Sequence, residues 1–113
     1  MWRDEATLLD ILRAARLALE FRGTIDKASF LNDLKTQAAI LHELLVLGEA
    51  VKRLSASFRE RHQQVPWKAI AGMRDRLLHG YDDVDLELVW KTVDEDLSPL
   101  VEQLKTLAPG PEA

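Results

Sequence analysis

Along nearly its whole length this chain repeats apolar residues at i, i+3, i+4 and i+7, the spacing that gathers them on one face of a helix rather than one face of a strand. Breaking residues are sparse: Gly23, Gly48, Pro66, Gly72, Gly80, Pro99 and the tail Pro109-Gly110-Pro111. An all-α chain follows. Its 113 residues are enough for one core and too few for two. The expectation is a single small antiparallel helical bundle over residues 1–108, with a disordered tail over 109–113.

The first helix is predicted from Asp4 to Phe21, with Leu8, Leu12, Ala15 and Leu19 on one face, acidic residues in its first turn, and Gly23 placed to stop it. Thr24 to Ser29 reads as a connector. The longest helix begins within Ser29–Lys35 and continues to Leu54, with an irregularity near Asn32-Asp33. Its residues Leu34, Ala38, Ile40, Leu41, Leu44, Leu45, Leu47, Val51 and Leu54 sweep an arc of about 200°, where a helix lying on one core needs little more than about 100°. It is therefore either the central helix of the bundle or a surface that meets another subunit. Gly48 within it costs about 1 kcal/mol of helix propensity relative to alanine, which a close helix crossing would explain.

Ser55 to Val65 is polar, with room for one short turn. Pro66 suits the first position of a helix reaching Leu78. A last helix from Leu86 to Leu107 carries Leu86, Val89, Trp90, Val93, Leu97, Leu100, Val101 and Leu104, and Pro99 should kink or break it.

The chain has no cysteine, which excludes a disulfide framework and a thiolate metal site and points to a reducing compartment. Its three histidines are too scattered to suggest zinc. No apolar run reaches the roughly 20 residues needed to span a bilayer, and Met1-Trp2-Arg3-Asp4-Glu5 lacks the layout of a signal peptide. A soluble, cytoplasmic protein without membrane contact is expected.

Candidate chemistry concentrates in Arg74-Asp75-Arg76-Leu77-Leu78-His79-Gly80-Tyr81, where two guanidiniums, a carboxylate, an imidazole and a phenol fall within eight residues at a helix end. On a straight helix Arg74 and His79 would lie about 140° apart and would not share a face. A second copy from a partner chain is one way to bring them together. Asp75 and His79, at i and i+4, are placed to hydrogen-bond and orient the ring. Gly80 lets the chain leave the helix so that Tyr81 can turn back.

Such a set suits transfer at a phosphodiester. An imidazole can take the proton of a ribose 2′-hydroxyl or give one to the leaving oxygen, and a guanidinium can hold the phosphate in two-pronged fashion, with no metal or other cofactor required. The same residues also fit a plain helix terminus, with His79 against the helix dipole, the arginines in surface ion pairs and Tyr81 packed as an ordinary aromatic.

The charge balance of 15 Lys and Arg against 19 Asp and Glu, net −4, taken alone argues against a nucleic-acid-coating protein. Its distribution says otherwise. From Lys52 to Arg76 there are seven basic residues (Lys52, Arg53, Arg59, Arg61, Lys68, Arg74, Arg76) against Glu60 and Asp75. From Asp82 to Glu102 there are eight acidic residues against Lys91. The basic stretch suits phosphate attraction, with Arg76, Lys68 and Arg53 as RNA-binding candidates. The acidic stretch suits a basic partner, a limit on indiscriminate binding, or simply a solvated face. His42 and His62 read as surface or interface residues, and Trp67 and Trp90 as helix anchors rather than base-stacking platforms.

Arg74, His79 and Tyr81 match the R-x4-H-x-Y signature of the HepT-like toxins, a branch of the HEPN superfamily, which this chain resembles from about Asp10 to Leu104. The flanks agree: Leu47-Gly48-Glu49-Ala50 with Leu54, Phe58-Arg59, Val65-Pro66-Trp67, Gly72-Met73-Arg74, His79-Gly80-Tyr81 and Val84-Asp85-Leu86-Glu87-Leu88-Val89-Trp90. Where family members often carry asparagine, this sequence has Asp75. The resemblance implies a HEPN-type helical bundle, a homodimer, and metal-independent RNA cleavage where the motifs of two subunits face each other. It also implies a toxin–antitoxin pair in which a small nucleotidyltransferase of the MNT type neutralises the toxin by attaching AMP to the motif tyrosine, here Tyr81.

The leading expectation is accordingly a dimeric endoribonuclease toxin. His79 would be its general acid/base, Arg74 the phosphate-holding residue, Asp75 the orienter of His79 and Tyr81 the regulated residue. The alternative is a non-catalytic dimeric helical module that binds a nucleotidyltransferase or nucleotides.

Overall fold

The computed structural model describes residues 2–80 and 83–108, so the expectation for the tail 109–113 lies outside the described residues. Helix α1 (Trp2–Arg22) opens with Asp4 and Glu5 in its first turn and ends where Gly23, at φ +57°, donates its amide to the Leu19 carbonyl at 3.0 Å. Leu8, Ile11, Leu12, Ala14, Ala15 and Ala18 are buried along it. The expected connector after Gly23 instead holds a short helix, α2 (Lys27–Leu31), because the Asp26 carboxylate accepts from the Ser29 amide and caps it. The irregularity predicted at Asn32-Asp33 is the junction with α3 (Leu34–Lys52): Asn32 closes α2, and Asp33 caps α3 by accepting from the Thr36 amide.

The long helix α3 is central within this chain, packed against α1, α2 and several of the helices that follow it. Ile40, Leu44, Leu47, Ala50 and Val51 are buried, whereas Leu34 is 80% exposed and Val46 also faces outward. The start of α1 lies at the end of α3, which makes the pair antiparallel. Asp4, almost fully buried, accepts from the Ser55 amide at 2.9 Å and from its hydroxyl at 2.7 Å. The Ser55 amide is the main influence holding the Asp4 carboxyl below the usual carboxylate range, with the hydroxyl second. The Ser55 hydroxyl oxygen also accepts from the Phe58 amide and caps α4 (Ala56–Arg61), the short turn expected in the polar stretch.

Pro66 is not the first residue of a long helix. It immediately precedes α5 (Trp67–Ala71), and Gly72, at φ −88° and ψ 7°, separates α5 from α6 (Met73–Leu77). Trp67 is the anchor it was expected to be: it is buried, its indole N–H donates to the His62 carbonyl at 2.9 Å, and Phe58 packs against both it and the His62 ring. Gly48 sits at the close crossing its sequence position suggested, facing the Ile70 backbone of α5.

The last helix is divided earlier than Pro99 alone would require. α7 (Leu86–Lys91) passes into a π-helical turn, Thr92–Asp96, and then into α8 (Leu97–Lys105). Within that turn the Leu97 amide reaches back to the Thr92 carbonyl, one residue further than in an α-helix, and the Thr92 hydroxyl donates to the Leu88 carbonyl at 2.8 Å. Pro99 lacks the amide that would continue the α-helical ladder and crowds the preceding turn, and the wider turn just before it accommodates the ring. Trp90 is buried beside Phe30, with ring centroids 5.3 Å apart, and the Arg22 guanidinium lies 4.5 Å over its ring. Among the described residues no helix is long and apolar enough to cross a membrane.

Candidate active site

The segment that carries the candidate chemistry leaves helical geometry as soon as α6 ends. Leu78 is extended (φ −114°, ψ 116°) and pairs with Val84 in an isolated antiparallel bridge. Two backbone bonds close the loop between them: the His79 amide donates to the Asp83 carbonyl at 2.6 Å, and the Asp85 amide donates to the Leu77 carbonyl at 2.7 Å. Gly80 holds φ +95°, a conformation that side chains rarely adopt. Tyr81, predicted to be the regulated residue, lies outside the described residues.

Because Leu78 is not helical, the i, i+4 relation of Asp75 to His79 does not exist. The expected bond from Asp75 to the ring is replaced by a contact to a different carboxylate. His79 Nε2 is 3.0 Å from the Arg76 carbonyl oxygen and 3.5 Å from Asp85 Oδ2, with 54% of the His79 side chain and 33% of the Asp85 side chain exposed. Asp85 also caps α7, its Oδ1 accepting from the Leu88 amide at 3.0 Å. One carboxylate thus ties the start of α7 to the imidazole. The sequence signal for this role is the place of Asp85 immediately before Leu86, that of an N-cap, a signal the acidic run around it obscures.

The other predicted residues divide into two groups. Arg74 and Asp75 are exposed on α6, and among the described residues no ion pair engages Arg74. Lys68 is exposed on α5. Arg76 is folded back, its guanidinium donating to the Ala69 carbonyl at 2.6 Å, and it lines a cavity of about 380 Å³ with Met73, Leu88, Lys91, Thr92 and Pro99. Arg53 lies elsewhere: its guanidinium is 3.7 Å from Asp10 of α1, and it shares a cleft with Arg13 and His42. Arg53 and Arg76 thus line different hollows of a single chain. Among the described residues no three His, Cys, Asp or Glu side chains gather as a metal-ligating group.

Comparison with known proteins bears on what such a site does. Residues 11–107 match the family described as "Ribonuclease HepT-like". A Thermococcus cleftensis protein named "Probable ribonuclease HepT" is 43% identical over 93 residues, covering 82% of this chain and 84% of that protein. Two proteins provisionally named as RNases are also similar. One, from Caldanaerobacter subterraneus subsp. tengcongensis, is 38% identical, with 86% of this chain and 87% of the relative covered. The other, from Methanocaldococcus jannaschii, is 36% identical, with 89% and 93% covered. No solved structure matches the chain.

Proposed function

This chain belongs to the HepT-like ribonuclease family, and from that premise we propose that it is a cytoplasmic, metal-independent endoribonuclease working as a homodimer. His79 is the general acid/base and Arg74 steadies the charge that builds on the phosphate. The observation that carries the reading is the exposed His79 ring, held at Nε2 among the described residues and following the short helix that presents Arg74. A second subunit brings another copy of both groups to the site, so that Arg74 of one chain can serve beside His79 of the other, which answers the divergence of these two residues expected along one helix. The basic residues of α5 and α6, Lys68 and Arg76, draw the RNA backbone toward it.

In this reading the protein is the toxin of a type II-like toxin–antitoxin pair. Its antitoxin is a nucleotidyltransferase of the MNT type that attaches AMP to Tyr81. The adduct places a bulky anion two residues from His79, where it repels and obstructs the RNA phosphate.

The test is cleavage of a labelled RNA by purified protein in the presence of chelator. Wild type yields fragments, and His79→Ala does not; an equally active His79→Ala protein would sink the catalytic assignment. Coexpression with a neighbouring nucleotidyltransferase, followed by intact-mass measurement, should show added AMP located at Tyr81. A neutralised toxin with unmodified Tyr81 would count against the regulatory half.

A further inference from the structure

Building on the reading of His79 as the proton-transferring residue, we propose that Nδ1 is the atom that exchanges the proton and that Asp85 is a positioning residue that fixes this choice. Among the described residues Nε2 has two polar neighbours, the Arg76 carbonyl oxygen at hydrogen-bond distance, 3.0 Å, and the Asp85 carboxylate at 3.5 Å, and neither has a hydrogen to donate. Nε2 therefore carries the hydrogen. A neutral imidazole has only one N–H, so its lone pair sits on Nδ1. The two acceptors together remove the usual ambiguity between the ring nitrogens.

Asp85 is itself held in place. Its amide is bonded to the Leu77 carbonyl, and Oδ1 is occupied by the Leu88 amide, leaving Oδ2 for the ring. The proton of the ribose 2′-hydroxyl passes to Nδ1 as that oxygen bonds to phosphorus. The bond from phosphorus to the 5′-oxygen breaks, and this oxygen leaves with the electron pair and takes a proton from water. The imidazolium left behind keeps its Nε2–H on the Arg76 carbonyl with the Asp85 charge alongside, and later returns its extra proton to water. Lys27, Glu87, Lys91 and Glu95 line the open groove beside Asp85, so its charge acts within a mixed set of neighbours.

The experiment is ¹⁵N NMR of histidine-labelled protein at about pH 9, well above the ordinary titration of the side chain. The His79 signals are those missing from His79→Gln. Nδ1 should resonate as the pyridine-type nitrogen and Nε2 as the N–H, whereas the reverse pattern overturns the proposal. Asp85→Asn separates the cap from the ring contact, because asparagine caps helices as well as aspartate does. With its oxygen engaged by Leu88, the amide NH2 falls where Oδ2 was and opposes an N–H on Nε2. The variant should keep its fold by backbone NMR, move toward the other tautomer and lose about 10-fold or more in kcat with KM nearly unchanged. An unaltered tautomer and kcat would remove Asp85 from this role. The NMR signals do not depend on cleavage, so failure of the nuclease reading, seen as an active His79→Ala, is told apart from failure of this one.

Discussion

Built onto Gly48, a Cβ would stand 3.1 Å from the carbonyl oxygen of Ile70, so the backbones of α3 and α5 touch at their crossing. That contact sets where α5, and with it the start of α6, lies on the bundle. Gly48→Ala gains about 1 kcal/mol of helix propensity and spends a similar amount displacing the Ile70 carbonyl, leaving stability within about 1 kcal/mol of wild type. Gly48→Leu has no such balance and should lose about 3 kcal/mol or more in chemical denaturation. A Gly48→Leu protein as stable as wild type would show that the crossing can open freely.

At Gly80 the constraint is conformational rather than spatial, since a Cβ there meets nothing within 4 Å while φ is +95°. Gly80→Ala should cost about 1–2 kcal/mol, paid largely within the loop. Hydrogen exchange should report the loss at the His79 and Asp85 amides that close it. RNA cleavage should fall with it, because the same loop orients the ring.

The Asp4 carboxyl titrates below its ordinary 3.8 because the Ser55 amide and hydroxyl bond its charged form. A depressed carboxylate contributes stability that is fully present above the ordinary value and is lost as pH falls through the lowered one. Asp4→Asn, which does not titrate, should be about 1 kcal/mol less stable at neutral pH. The gap should close as pH is lowered below about 4. A gap that stays constant in urea titrations across that range would contradict the assignment.

Arg74 is exposed on α6, so its replacement tests chemistry with little effect on folding. Arg74→Ala should lower kcat for RNA cleavage by about 100-fold while changing stability by less than about 0.5 kcal/mol. Arg74→Lys should recover only part of the loss, because an ammonium cannot grip a phosphate with two parallel hydrogen bonds. Full recovery would reduce the role of Arg74 to bulk charge.

Much of this architecture was legible in the chain. The stop at Gly23, the junction at Asn32-Asp33, the burial of α3 on several sides and the close approach at Gly48 all rest on local signals: cap chemistry, glycine freedom and the width of an apolar stripe. The errors fall where a local preference was overruled. Pro66 to Leu78 reads as one helix because its spacing is helical throughout, yet Gly72 divides it. Thr92 opens a π turn ahead of Pro99, where the sequence points to the proline alone.

The sequence by itself determined that the chain is helical, that one core serves it, and that guanidinium, carboxylate and imidazole gather near residue 79. Only the tertiary structure decided which carboxylate meets the ring. Asp75 was favoured because helix geometry makes i and i+4 neighbours, but that rule lapses when the helix stops at Leu77. The bridge between Leu78 and Val84 then folds the chain back and delivers Asp85. Spacing reports dihedral preference over a few residues, whereas the partner of a side chain beyond a helix end depends on where the returning chain is held by its backbone bonds and by the helices packed against it.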